Sequence, residues 1–302
     1  MKSWWRRFLV RGVFWRQLLR FAVLIVPVWI EPVVMAFWSL FFLLWGPGRR
    51  NVMRNLRWIK PGSWPVANFF RTYRVFWNFA WSIADTVRFR EQRILPDWEF
   101  TGIEYFEQLK SHQGGAIILT AHMGSYDLGA HVFSETSDRH IVMVRAPELD
   151  PETAKFEEAM QERSRTEALR IDFSTRASEL ALDLLDAIQR GELVAIQGDR
   201  ITPGIAALPA TLFGKPGRMP AGPFALAMAA RVPVFPLFII RTGRRRYRLL
   251  TCEPIRVERR SRYRDDDLRL AVDEWTKKLE EVIRTSWYQW FAFDPHAEKL
   301  AA

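Results

Sequence analysis

The sequence predicts an α/β fold: a mainly parallel central sheet flanked by helices, behind an N-terminal membrane-associated helical segment. Three observations predict it. From about residue 97 onward, short apolar runs alternate with helix-length amphipathic stretches, the pattern of strands joined by helical crossovers. The chain has 302 residues, enough for one large domain with an appendage. The appendage announces itself between Phe21 and Trp45, where 25 residues carry Glu31 as their only charge.

As one helix that apolar run would span about 37 Å, more than the roughly 30 Å hydrocarbon core of a bilayer. Lys2, Arg6, Arg7, Arg11, Arg16 and Arg20 precede it, and Arg49, Arg50, Arg54, Arg57 and Lys60 follow. With both flanks basic, charge does not orient the segment. Pro27, Glu31 and Pro32 interrupt it, so a kinked span, a re-entrant hairpin and an in-plane anchor all stay open, with a buried soluble helix as the alternative. A cleavable signal peptide is disfavoured, because the run is long and lacks a small-residue exit.

Residues 46–60 read as a turn and the start of a basic helix, and Pro61 to Pro65 break the pattern. A helix rich in Trp and Phe follows over 66–90, dense enough in apolar residues for core packing or for a lipid- or acyl-facing surface. Strands are expected at 97–102, 115–120, 139–145, 193–197, 233–241 and 246–252. Helices are expected at 103–111, 125–136, 151–168, 176–190, 221–230 and 265–286. The last two strands, joined at Thr242-Gly243-Arg244, read as an antiparallel hairpin.

Composition narrows the partners. Fourteen Trp, 22 Phe and a net charge of +10 suit nucleic acid or an anionic membrane surface. No zinc finger, RNA-recognition signature or basic zipper accompanies the charge, which argues against nucleic acid. Cys252 is the single cysteine; it has no disulfide or metal-ligating partner of its kind and fits a reducing compartment.

The chemistry concentrates at Thr120-Ala121-His122-Met123-Gly124-Ser125-Tyr126-Asp127, directly after a predicted strand. On a continuous helix a five-residue offset turns two side chains about 140° apart. His122 and Asp127 can therefore meet only if His122 lies in the turn and Asp127 in the first turn of the next helix. Gly124 and Ser125 supply that turn and an N-cap. A neutral imidazole held by a carboxylate is a general base for a hydroxyl group. Arg145 and Asp199 also follow predicted strands, and in such sheets functional side chains collect at the carboxyl ends of strands.

Each residue has a blander reading. His122 could be a buried structural histidine, Asp127 an acid favoured by a helix N-terminus, Arg145 a surface salt bridge and Asp199 a turn residue. Arg200 could bind anions or only neutralise Asp199. Ser125 as a covalent nucleophile lacks the G-x-S-x-G frame. A zinc site from His122, Asp127 and His131 lacks the His-Glu-x-x-His spacing, so no metal is expected.

His122-x4-Asp127 resembles the first block of the lysophospholipid/glycerolipid acyltransferase superfamily. Val142-Met143-Val144-Arg145, Ala195 to Arg200, Leu212-Phe213-Gly214 with Gly222-Pro223, and Val232-Pro233-Val234-Phe235-Pro236 resemble its further blocks in order. The N-terminal run, Arg50…Arg54-Asn55-Leu56 and Trp287-Tyr288-Gln289-Trp290-Phe291 resemble one branch, the bacterial lipid A (lauroyl/myristoyl) acyltransferase-like family.

That resemblance implies an anchor and basic flank over 1–60 and a glycerolipid acyltransferase-like domain over 61–302. The implied enzyme sits at the cytoplasmic face of the inner membrane. It needs no cofactor beyond an acyl thioester co-substrate, carried on acyl carrier protein or CoA, and moves the acyl group to a hydroxyl of a membrane lipid or glycolipid. His122 is the implied base and Asp127 its support. Arg145 binds a phosphate, Asp199 and Arg200 help place the acceptor, and backbone N–H groups at Gly124 and Ser125 receive the oxyanion. A lipid hydrolase or thioesterase using the same pair, and a catalytically silent membrane-binding protein, are the rivals. Asp127 stands where the lipid A enzymes usually carry Glu, and Arg200 where a second acid is usual, which leaves the acceptor open. Gly214 and Gly222 admit either turns or close approach of an acyl chain. The basic runs Arg244 to Arg248 and Arg256 to Arg264 read as solvated faces, or as docking sites for lipid phosphates or an acidic acyl carrier protein.

Overall fold

The computed structural model describes residues 13–46, 48–137, 139–145, 169–173, 177–201 and 205–293, with residues 152, 154, 155 and 159 between them. The expected helix at 151–168 lies outside the described residues apart from those four positions. Seven strands form the main sheet: β1 (Asp97–Thr101), β2 (Ala116–Thr120), β3 (Ile141–Arg145), β4 (Leu169–Phe173), β5 (Leu193–Gln197), β8 (Val234–Gly243) and β9 (Arg246–Thr251). Their order is β1-β9-β8-β2-β5-β3-β4. Every neighbouring pair is parallel except the β8–β9 hairpin.

Alternation along the central strands divides the core, as expected where both faces are covered. Ile117, Leu119, Val194, Phe238 and Ile240 face one layer, with Trp275 and Leu279 from a helix on that side. Ile118, Ile141, Met143, Leu237 and Ile239 face the other, with Leu128 and Phe133 from the opposite helix. On the first side lie α7 (Ala177–Gln189), α8 (Gly222–Ala230) and α9 (Arg264–Ser286). On the second lie α5 (Ile103–Ser111), α6 (Tyr126–Ser137) and the end of a 28-residue helix, α4 (Pro65–Gln92). Core packing holds for much of that long helix, where Val75, Phe76, Trp81, Ala84 and Phe89 are buried, whereas Val66 and Phe70 near its start are exposed.

The structure departs from the sequence reading in two places. β4 occupies Leu169–Phe173, where no strand was expected, although Leu169, Ile171 and Phe173 alternate as a strand should. A separate hairpin, β6 (Ala207–Leu212) and β7 (Lys215–Pro220), turns at Phe213 and Gly214, both with positive φ, as a tight hairpin turn requires; Gly214 thus serves a turn. The apolar run breaks where Pro27, Glu31 and Pro32 interrupt it, into two helices, α1 (Val13–Ile25) and α2 (Glu31–Trp45). Pro27 lacks the amide that would continue α1, and Pro32 sits where proline is tolerated, in the first turn of α2. At about 20 and 22 Å each is shorter than the bilayer core. Among the described residues no single helix is long and apolar enough to cross a membrane.

The one charge in that run has a structural explanation. Glu31 is buried and pairs with Arg88 of α4 and, at 2.6 Å, with Arg244 of the β8–β9 turn. Arg88 also meets Asp85 at 3.4 Å, and Asp85 accepts a 2.9 Å hydrogen bond from the buried Tyr247 hydroxyl. Arg244 thus ties the start of α2 to the sheet, although its side chain keeps 36% exposure. α3 (Arg49–Ile59) completes the N-terminal layer, its buried Asn55 donating to the carbonyl of Ala292 at 2.8 Å.

Candidate active site

β2 and β5 run in register, with Thr120 level with Gln197. The amide of Gly198 donates to the Thr120 carbonyl at 2.8 Å, extending the ladder one step past the strands. Two residues beyond each strand end stand His122 and Asp199. Because parallel neighbours are about 4.8 Å apart, side chains level in register are within reach, and these two meet: His122 Nδ1 lies 2.6 Å from Asp199 Oδ1. An ionised carboxylate only accepts, so Nδ1 donates and Nε2 is left with its lone pair. Asp199 is fully buried, and its second oxygen accepts from Trp290 Nε1 at 2.9 Å. The His122 side chain keeps 22% exposure, enough for a substrate group to approach.

The C-terminal segment straps this pair down. Gln289, fully buried, accepts from the Arg241 amide and donates to the Arg241 carbonyl, each at 2.7 Å, which docks the segment on β8. Trp290 pairs across from Met123, and the Phe291 amide donates to the His122 carbonyl at 2.8 Å. Arg200 donates to the Phe291 carbonyl at 2.5 Å. On the other side of the turn Gly124 has φ +53°, and a Cβ there would stand 2.0 Å from the Ile239 carbonyl oxygen. Only glycine lets the chain reverse that close to β8.

Asp127 does something else. The spacing suggested that it would hold the imidazole; the structure places Asp199 at Nδ1 instead. From the first turn of α6, Asp127 reaches Arg145 at the end of β3 and Arg90 of α4, the latter at 3.5 Å. Two guanidiniums attract its carboxylate more strongly than a neutral ring would. Arg145 therefore joins α6 to β3. Below them His131 is buried, and burial, then the nearby Arg90, push its pKa down to about 4. The buried Ser125 hydroxyl shares a 2.6 Å hydrogen bond with Thr86, whose hydroxyl also meets the Ser82 carbonyl at 2.9 Å; this ties Ser125 to α4. Among the described residues no group of three His, Cys, Asp or Glu could hold a metal ion.

Between α6 and the sheet lies a mostly apolar cavity of about 40 Å³, room for roughly one to three waters. Tyr126, Gly129, Met143 and Ala195 line it, and Thr120 and Gln197 stand at its upper end. Strand alternation puts Thr120 on the same face as His122, and Gln197 on the same face as Asp199. The Tyr126 phenol is pushed up to about 12, first by the Asp127 carboxylate and then by burial, so it stays protonated. The Gln197 amide stands near enough to that phenol to oppose the upward shift, but it makes no hydrogen bond of normal geometry with it. Its Nε2, like the buried Thr120 Oγ1, makes no hydrogen bond among the described residues. Leaving such a buried group unsatisfied costs about 1–3 kcal/mol.

Sequence reasoning gave neither Thr120 nor Gln197 nor Trp290 a role. A signal for the His122–Asp199 pairing was present, however: Ile118-Leu119-Thr120-Ala121-His122 and Ala195-Ile196-Gln197-Gly198-Asp199 share one frame, apolar run, polar residue, small residue, functional side chain.

The sequence pattern of the family described as bacterial lipid A biosynthesis acyltransferase matches residues 24–296, from the end of α1 through the C-terminal strap. No curated protein matches the chain.

Proposed function

The chain belongs to the bacterial lipid A biosynthesis acyltransferase family, and on that premise we propose that it moves a fatty acyl group from a thioester to a hydroxyl of a membrane lipid or glycolipid, with His122 as base. The observation that carries this is the 2.6 Å contact from His122 Nδ1 to the buried Asp199, at the end of an apolar cavity. Asp199 fixes the tautomer that leaves Nε2 free to take the acceptor's proton. The acceptor oxygen attacks the thioester carbonyl carbon as that proton moves to Nε2. The tetrahedral intermediate then collapses, the carbon–sulfur bond breaks, and the leaving sulfur takes the proton from the imidazolium. Backbone N–H groups of Gly124 and Ser125, at the N-terminus of α6, would receive the oxyanion. Arg145 and Arg200 keep the assembly positively charged beside an anionic acceptor or donor.

The acyl chain would enter the cavity beneath α6. A fatty chain is several times larger than the space now open, so side chains such as Met143 and Tyr126 must turn aside as it enters. Membrane attachment is part of the same proposal. Phe21, Ile25, Trp29, Phe37, Trp45, Trp64 and Phe70 are exposed along the N-terminal layer, and two short helices suit an in-plane or half-inserted anchor better than a span. Acyl thioesters are made in the cytoplasm, which puts the site on the inner face of the membrane.

Purified protein given an acyl thioester, on acyl carrier protein or CoA, together with a lipid acceptor, tests the proposal. Acyl-lipid should form, and His122→Ala should lower the rate by about 10²–10⁴-fold. Free fatty acid as the main product, released without acceptor, would make the protein a hydrolase. His122→Ala within a few-fold of wild type would remove the base. Lipid mass spectrometry of cells carrying wild type or His122→Ala then identifies acceptor and acyl group by the mass gained.

A further inference from the structure

The cavity is apolar except at its end nearest the His122–Asp199 pair, where the Tyr126 phenol lines it and two polar atoms are buried without a hydrogen bond of normal geometry: Thr120 Oγ1 and Gln197 Nε2. They come from adjacent strands at the same register step and lie one side-chain layer, about 7 Å, below His122 and Asp199. Buried polar atoms normally find partners, so an unpaired couple at one point of an otherwise apolar surface needs a reason. Both can donate, one through an amide N–H and the other through a hydroxyl. An apolar tail with one acceptor oxygen at its head matches that arrangement: tail among Met143, Ala195 and Gly129, oxygen between the two donors. An acyl thioester has this form. A lipid tail without a carbonyl would fill the cavity and leave both donors unpaired.

We infer that Gln197 and Thr120 form a polar collar that binds the acyl carbonyl oxygen from the sheet side and holds the thioester carbon below the His122 imidazole. This rests on the acyl-transfer reading and adds two substrate-binding residues to it. The two collar donors fill the two lone pairs of the carbonyl oxygen, and the third pair that appears on the oxyanion is left for an N–H of the Gly124–Ser125 turn. Tyr126 and Gln197 line the same opening, so the protonated phenol lies against the amide that binds the carbonyl.

The test uses Gln197→Leu and Thr120→Val, with Gln197→Met as a second replacement of the amide. The unpaired atoms contribute nothing to folding in the free protein, so each variant should melt at or above the wild-type temperature. Each should lower kcat/KM for lauroyl-acyl carrier protein or lauroyl-CoA, whichever wild type turns over, by about threefold to tenfold. The S-dodecyl thioether of the same carrier has no carbonyl, and it should inhibit wild type and variants equally. Unchanged kcat/KM in stable variants, with His122→Ala inactive, overturns the collar and leaves acyl transfer standing. Equal weakening of thioester and thioether also overturns it, since the loss would then be one of cavity shape. If wild type transfers no acyl group from either donor, the functional reading falls and the collar with it.

Discussion

Two carboxylates flank the His122 turn, and they are held in opposite ways. Asp199 is fully buried and accepts from the His122 imidazole and the Trp290 indole. Asp127 keeps 21% side-chain exposure and lies between two guanidiniums, Arg145 and Arg90. A carboxylate matched by permanent cations is a fixed joint, because neither partner changes charge near neutral pH. A buried carboxylate whose partner is an imidazole can stabilise that partner's protonated form when a proton arrives. The difference separates positioning from proton transfer: Asp199 acts on the base, and Asp127 holds α6, β3 and α4 in the arrangement that presents it.

Asp199→Asn should break that division most severely. Trp290 Nε1 must still find an acceptor, so the new amide turns its oxygen to the indole and its NH2 to His122. Nδ1 then has to accept, the proton moves to Nε2, and the base is lost. A kcat loss of about 10³–10⁴-fold is expected, the scale set by reversing the tautomer of a catalytic histidine. Thermal unfolding should change little. Adding Trp290→Phe frees the amide to rotate, so the double variant should recover part of the rate. A further multiplicative loss would show that Trp290 does not set the orientation.

The Asp127 side of the comparison has its own titration. His131 lies beneath the cluster with its pKa lowered from 6.5 to about 4, chiefly by burial and then by Arg90. Between those values the unfolded chain binds more protons than the folded one, so this contribution is complete above pH 6.5 and is lost as pH falls towards 4. The shift corresponds to roughly 3 kcal/mol at about 1.4 per unit. Urea unfolding from pH 7 to 4 should show a shallower decline for His131→Gln than for wild type. Identical slopes would mean that His131 accepts its proton in the folded state without penalty.

How far the sequence revealed this arrangement depended on whether the cause was local. The parallel sheet was legible because Ala116–Thr120 and Leu193–Gln197 are apolar runs between helices, and a local pattern determines each of them. The break in the apolar run was half legible: Pro27 and Pro32 mark it, but only the folded neighbours Arg88 and Arg244 explain Glu31. β4 and the β6–β7 hairpin were missed because Arg170 and Asp172 interrupt the apolar residues of Leu169–Phe173 and Lys215–Pro220 holds two prolines, a weak strand signal. The His122 position was legible and its partner was not. A five-residue offset invites local pairing, whereas the contact with Asp199 spans 77 positions and follows from strand register. Sequence alone gives register only once the strand order is known.

Asp127→Asn is the milder test and decides the comparison most directly. The amide can still accept one hydrogen bond from Arg145, but the charge that balanced two guanidiniums is gone. Their mutual repulsion should loosen the junction of α6 with β3 at a cost of about 1–2 kcal/mol, below the figure for a fully buried pair because the site is partly solvated. The rate should fall by about tenfold, through a displaced Gly124–Ser125 turn and not through a wrong tautomer. Asp127→Glu keeps the charge and should restore most of both. The ratio of the two losses is the measurement. If Asp127→Asn costs as much in kcat as Asp199→Asn while melting normally, Asp127 takes part in proton transfer and the carboxylates share a task that their surroundings divide between them.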